Sequence, residues 1–328
     1  MDPTISVIVP AYNASGTIGA CLDALERQTI PREEYEIIVV DDGSTDDTRA
    51  AARRPDVAVL TQAHQGQAAA RNLGVQSSRG DLLFFTDADC MPSPDWLEQM
   101  RAAFDDPRVD GVKGVYRTRQ RAIVARFVQL EYEDKYDRLY RRETIDFVDT
   151  YSAGYRRRPF EAIGGFDPTM CPAEDQELSF RMAAHGARLV FRPSAVVEHL
   201  HAASLRAYAR KKFRGGFAKF RVVSRHKSKW VGDAHTPPVM KVQMALVVLG
   251  AVCAVAGLLS RPARLVAALA GAAFGITTLP LIAKMWVRDR AVATAAPVIL
   301  IVRAAALSAG AIVSFLETAR SRLQHVSW

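Results

Sequence analysis

Short apolar runs alternate with amphipathic stretches through the first hundred residues. Residues 5–9 are β-rich and stopped by Pro10, and Ala11-Tyr12-Asn13 forms a turn. Ser15 or Thr17 then caps a helix with Ile18, Cys21, Leu22 and Leu25 on one face. A second strand at 35–40 ends in Asp41-Asp42-Gly43-Ser44-Thr45-Asp46, with a helix beginning near Asp47. A third strand at 57–62 leads to an Ala-rich helix over 66–75 that contains Arg71 and Asn72. Leu82-Leu83-Phe84-Phe85 next delivers Asp87 and Asp89, one residue apart, where an open α/β sheet places its ligands. On an extended backbone that pair points to one side. Pro94 opens another helix through 104. Strictly alternating strands and helices predict an α/β, doubly wound domain on a parallel sheet.

Beyond residue 110 the alternation loosens. A strand is predicted at 111–116, a long charged helix at 121–142 anchored by Phe127, Leu130 and Tyr136, and a strand at 147–153. A short helix ends at Gly164-Gly165, and a helix from 173 carries Glu174 and Asp175 in its first turn, where the macrodipole favours acids. Three apolar stretches follow. Residues 242–259 and 265–283 hold no charge and approach the roughly 20 residues a bilayer requires. Residues 291–316 are interrupted by Arg303, which costs about 2.5–3.5 kcal/mol on insertion scales. Arg303 has three destinations: other helices, a lipid phosphate, or a helix lying in the interface. The pattern divides the chain into a domain over 1–204, a basic segment over 205–238, and an anchor of two or three helices over 239–328.

Charge sharpens that division. The net charge is +8, yet residues 1–204 hold 24 Lys and Arg against 32 Asp and Glu, whereas 205–229 carry ten basic residues and no acid. Basicity beside apolar helices points to a membrane surface and away from nucleic acid. Four cysteines at unrelated spacings argue against a zinc site or disulfide framework and fit a reducing compartment. The start has no basic leader region and too short an apolar run for a signal core, so the first domain is expected in the cytoplasm, and the apolar stretches predict a multi-pass protein of the cytoplasmic membrane.

Two like charges as close as Asp87 and Asp89 cost energy unless a cation or ligand sits between them. Alone, such a pair is commonly an acidic turn, and Glu174 with Asp175 commonly helix-start electrostatics. In one chain, however, VIVPAYN (7–13), DDGSTDDT (41–48), GQAAARNLG (66–74), FTDADC (85–90), GGFD (164–167) and EDQELSFR (174–181) follow in order. This set resembles inverting family 2 glycosyltransferases of the GT-A fold. The tail, with VVEHLH (196–201), YARKKFRGG (208–216) and DAHTPPVMKVQ (233–243), looks like membrane-bound members of the succinoglycan or exopolysaccharide type.

The resemblance implies a nucleotide-diphosphate sugar donor of the UDP or GDP type and a divalent cation, Mg or Mn. Pro10, Ala11, Tyr12, Asn13, Asp42, Arg71 and Asp87 would hold the donor; Arg71 would alternatively pair with Asp41 or Asp87. Asp89 would be a direct metal ligand, with His199 or His201 completing the shell. Asp175 would be the general base, and Glu174 and Gln176 would position a lipid-linked acceptor. Lys211 and Arg214 would meet a diphosphate as part of a glycine-hinged lid, or belong to an interfacial amphipathic helix. The absence of a QxxRW motif favours addition of one sugar over extrusion of a polymer. A polyprenyl-phosphate glycosyl synthase, a nucleotidyltransferase and a non-catalytic scaffold are the alternatives.

Overall fold

The computed structural model describes residues 3–226, 230 and 236–326. Parts of the basic segment (227–229 and 231–235) and the chain end at 327–328 lie outside the described residues. The chain divides into two units, the first comprising 1–119 and 135–200, the second 120–134 and 201–328. The break near 204 is therefore interrupted: residues 120–134 belong with the C-terminal unit.

In the first unit, β1 (Ile5–Ala11), β2 (Tyr35–Asp41), β3 (Val57–Thr61) and β4 (Leu82–Phe85) lie parallel, in the order β3-β2-β1-β4. Every residue of β1 is buried, as is all of β2 but Glu36, which accounts for their unbroken apolar runs. The predicted stripe Ile18, Cys21, Leu22 and Leu25 on α1 (Ile18–Glu26) is fully buried. Each of its large aliphatic chains contributes roughly 1.5–3 kcal/mol relative to exposure. The short α2 (Thr48–Ala51), α3 (Gln67–Gln76) and α4 (Trp96–Arg101) complete the alternating half.

The expected all-parallel sheet is mixed. It continues from β4 through β7 (Ala153–Arg156), β6 (Val109–Arg117), β8 (Arg188–His199) and β5 (Cys90–Pro92). β7 runs antiparallel to both β4 and β6, and β5 antiparallel to β8, whereas β6 and β8 are parallel. The strand expected at 147–153 begins only at Ala153. Upstream, the Val148 N–H donates to Ser179 Oγ (3.0 Å), and the Asp149 carboxylate is taken by Lys113 and Lys135. Those bonds draw the backbone out of the ladder, and Thr150–Ser152 is a 3-10 turn. Next come α6 (Arg157–Ala162) and α7 (Glu174–Ala184). α5 (Ile123–Leu139) spans the charged helix predicted at 121–142.

The second unit contains α8 (Leu205–Arg225), α9 (Pro238–Ala256), α10 (Arg261–Arg288) and α11 (Arg290–Val326), together with the first part of α5. Its core includes Phe127, Tyr208, Phe274, Met285, Val292 and Leu300. Three helices, Pro238–Ala256, Arg261–Arg288 and Arg290–Arg320, are long and apolar enough to cross a membrane. Large apolar side chains such as Val252, Val255, Leu265 and Ile276 face outward along α9 and α10, a surface suited to lipid and costly in water.

Arg303 is turned into the protein, not toward lipid. It donates to Glu131 Oε1 (2.7 Å) and Gln243 Oε1 (2.6 Å), and Glu131 Oε2 accepts from Tyr208 (2.8 Å) and Lys212 (3.1 Å). The glycine-hinged lid is corrected as well. Residues 208–216 lie inside the continuous helix α8, and a Cβ on Gly216 would collide with the Leu307 carbonyl. Gly216 is there for close helix packing. Lys211 and Arg214 are exposed on that amphipathic helix.

Candidate active site

The two aspartates stand on a turn, which replaces the expected extended pair. β4 ends at Phe85, and the Cys90 N–H closes back on the Asp87 carbonyl (3.0 Å). The turn passes directly into β5, where Cys90 lies opposite His199 of β8. His199 Nε2 consequently sits 3.3 Å from Asp89 Oδ2. Donor atoms of Asp89, Cys90 and His199 all lie within 4.8 Å of one another. Burial, then Asp87 and Asp89, push the Cys90 thiol well above its usual range, leaving the Asp89 carboxylate and the His199 imidazole as the ligating groups. Such a pair suits a divalent cation of the Mg or Mn type. His201 belongs to the second unit, where its Nε2 meets Gln129 Oε1 (3.1 Å) and its ring stacks on Tyr132.

At the ends of β1 and β2, Tyr12 is half exposed and stacks on His64 at 4.2 Å. Pro10 and Ala11 are buried in β1, and Asn13 (φ 49°) accepts from the Thr45 N–H (2.9 Å). Asp42, one of the residues expected to hold the donor, lies beside them. It is buried, and its carboxylate accepts from Gln62 Nε2 (2.6 Å), Gln65 N (2.9 Å) and Gly66 N (2.8 Å), with His64 Nδ1 2.9 Å away. The carboxylate thus holds the 62–66 loop. That loop approaches so closely that a Cβ on Gly43, at φ +74°, would lie 2.8 Å from the His64 nitrogen.

Arg71 joins the two acidic motifs. It projects from α3, is 1% exposed, and donates to Asp87 Oδ1 (2.8 Å) and Glu174 Oε1 (2.7 Å). Of the two pairings open in the sequence, Asp87 is realised and Asp41 is not; Asp41 instead accepts from the Ser44 N–H (3.1 Å). Gln67 also donates to Glu174 (2.6 Å). Glu174, itself 1% exposed, is a partner of Arg71 through Oε1. The next residue of α3, Asn72, exchanges two hydrogen bonds with the Phe166 backbone, seating the GGFD turn. Arg181 braces α7 by pairing with Glu177 and donating to the carbonyls of Ile163 and Gly165.

Asp175 follows Glu174 at the start of α7. Burial and the adjacent Glu174 carboxylate push its carboxyl up to about 7, against the pull of Arg71 and Lys135. A carboxylate there is poised to accept a proton near neutrality. Buried around it, Arg71 Nε, Glu174 Oε2 and Gln176 Nε2 have no protein partner, so polar capacity remains for a ligand. Lys211 and Arg214 belong to the second unit. Sequence reasoning missed Gln67, Lys113, Lys135 and Asp149. Only Lys113 left a signal, as a lone charge in the apolar run Gly111-Val112-Lys113-Gly114-Val115.

Residues 6–164 match the family described as Glycosyl transferase family 2. Over those residues the chain is similar to family 2 glycosyltransferases. Its mixed sheet is GT-A-like. The chain is 41% identical over 118 residues to the glycosyltransferase AglE of Haloferax volcanii, an overlap of 34% of this chain and 39% of AglE. It is 34% identical over 228 residues to a pre-mycofactocin glycosyltransferase of Mycobacterium tuberculosis, 65% of this chain and 46% of that one. The chain therefore spans less than half the length of either relative. The mannosyltransferase PcManGT of Pyrobaculum calidifontis, solved with GDP-Man and Mn2+, resembles it in structure with a TM-score of 0.64 and 26% identity, covering 97% of this chain and 88% of that one. The family 2 match contains Asp42, Arg71, Asp87 and Asp89, while Asp175 and His199 lie beyond it.

Proposed function

We propose that the protein transfers one sugar from a nucleotide-diphosphate donor, of the UDP or GDP type, to a lipid-linked acceptor at the cytoplasmic membrane, with inversion. The observation that carries this reading is the buried Arg71 bridge between Asp87 and Glu174, which holds the donor-side and base-side motifs in one unit. Asp89 and His199 would hold the divalent cation, which when bound stabilises charge growing on the diphosphate leaving group. Pro10, Ala11, Tyr12 and Asn13 lie at the nucleotide end, with Asp42 shaping the loop beside them. Asp175 takes the proton of the acceptor hydroxyl as that oxygen attacks the anomeric carbon opposite the leaving group, and a single displacement inverts the configuration. Gln176, with its unpartnered Nε2, orients the acceptor. The three apolar helices anchor the chain, leaving the family 2 domain on the cytoplasmic side, and the basic face of α8 carries Lys211 and Arg214 toward acidic headgroups. The GDP-Man and Mn2+ held by PcManGT support both donor class and cation.

The test is thermal stabilisation of the solubilised protein by a panel of nucleoside diphosphates with and without Mn2+. UDP or GDP should stabilise in a Mn2+-dependent manner that Asp89→Ala abolishes. Metal-dependent stabilisation unchanged in Asp89→Ala would overturn the assignment of the cation site.

A further inference from the structure

Behind Asp175 lies a buried charge cluster that the proposed chemistry does not use. Lys113 of β6 is fully buried, and Lys135 of α5 and Asp149 are nearly so. Lys135 Nζ lies 3.1 Å from Asp149 Oδ2, and Lys113 pairs with the same carboxylate oxygen. Lys113 also donates to the Tyr151 hydroxyl (2.9 Å). The Phe147 ring covers both ammonium groups, at 4.6 Å from Lys135 and 5.6 Å from Lys113. Burying a Lys without full compensation is costly, and two of them here share one carboxylate. The cluster is fastened to the base-bearing helix: Ser179 Oγ donates to the Asp175 carbonyl (2.7 Å) and accepts from the Val148 N–H (3.0 Å), one residue before Asp149.

Counting the charges shows what this arrangement does. The groups that act on Asp175 are Glu174 on its own helix, Arg71 on α3, Lys113 on β6, Lys135 on α5 and the Tyr155 hydroxyl on β7, and Asp149, before β7, reaches it through the two lysines it pairs with. Burial, then the neighbouring Lys135, hold the Lys113 ammonium well below its usual range against the pull of Asp175, so Arg71 and Lys135 supply the steady positive charge that meets Glu174, Asp149 and Asp87 while Asp175 is protonated. Ionising Asp175 adds a fourth carboxylate with no further cation. Each lysine therefore favours the ionised base, and Asp149 opposes it.

We propose that Lys113, Asp149 and Lys135 are positioning residues that set the pH at which Asp175 becomes available as a base. The inference rests on the reading of Asp175 as the base, and its test separates the two. In the full chain, the carbonyl band of protonated Asp175, identified by its loss in Asp175→Asn, is followed against pH by difference infrared spectroscopy. Lys135→Met should move the midpoint up by about one unit and Asp149→Asn should move it down by a similar amount. The double variant Lys135→Met/Asp149→Asn leaves the net charge unchanged and should return close to wild type. If Asp149→Asn does not fold, Lys135→Met and the double variant still decide. Midpoints that stay at the wild-type value, or that move in one direction in every variant, overturn the proposal. Wild-type turnover in Asp175→Asn would defeat the base assignment alone, because the band still titrates.

Discussion

Replacing Asp175 by Asn should stabilise the protein while disabling it, and the size of the gain depends on pH. The folded-state carboxyl is raised from 3.8 to about 7, so between those values the folded chain holds a proton that the unfolded chain has released. Stability contributed at this site is thus present below about pH 4 and is lost as pH rises to about 7, beyond which the deficit is constant. A shift of about three units at 1.36 kcal/mol each makes that deficit at most about 4 kcal/mol. Asn matches the shape of the protonated acid and can still accept from the Gln176 N–H, whose donor lies 2.7 Å from Asp175 Oδ1. The variant should therefore unfold with the wild type near pH 4 and later than it near pH 9. At roughly 2–4 °C per kcal/mol for a unit of this size, the limit is a gain of roughly 8–16 °C. Thermal unfolding of both proteins in detergent across that pH range measures the gain directly. Equal midpoints at every pH, or a less stable variant at high pH, would refute the reasoning. Turnover should fall by about 10²–10⁴ in the same variant, a trade of stability against activity.

Wild-type turnover should itself decline as pH falls through about 7, since protonated Asp175 cannot accept a proton; a flat kcat profile between about pH 5 and 8 speaks against a base. Arg71→Met leaves Glu174 and Asp87 buried or half-buried without their cation and should cost about 3–5 kcal/mol in unfolding free energy, read by denaturant titration. Asp89→Ala should remove Mn2+-dependent protection of His199 from acylation by diethyl pyrocarbonate, scored by mass spectrometry. Arg303→Leu should destabilise the second unit by leaving Glu131 Oε1 without its cation, and Arg303→Leu with Glu131→Gln should recover much of that loss, giving a coupling energy above about 1 kcal/mol in a double-mutant cycle.

Much of this was legible along the chain because local chemistry dictated it. The runs in β1, β2 and β4 are buried on both faces, and the stripe on α1 repeats at helical spacing, so pattern and burial coincide. The acidic pair and Asp175 were visible because their motifs are contiguous. What failed to show was nonlocal. β8, which bears His199, mixes arginines, a proline and apolar residues, and its burial pattern does not alternate, since it passes between edge and interior. The start of β7 is set by where Val148 and Asp149 are tied, to Ser179, Lys113 and Lys135 on other elements. Arg71 illustrates the boundary: a buried partner was foreseeable, but Glu174, 103 residues away, was not.

The Glu131–Arg303 pair bears on how the protein is made. The two residues are 172 positions apart, and the membrane unit consists of residues 120–134 plus everything from 201 onward. Closing a loop of that length costs about 4–5 kcal/mol of chain entropy before any contact rewards it. During synthesis the sheet can close once β8 has emerged, whereas Glu131 must wait, first for Tyr208 and Lys212 and then for an arginine carried by the last helix. Arg303 in turn enters the bilayer economically only if its carboxylate is already in place. Translation order thus supplies the counterion before the charge, and under the membrane anchoring proposed above the third long apolar helix is predicted to insert late, completing its unit.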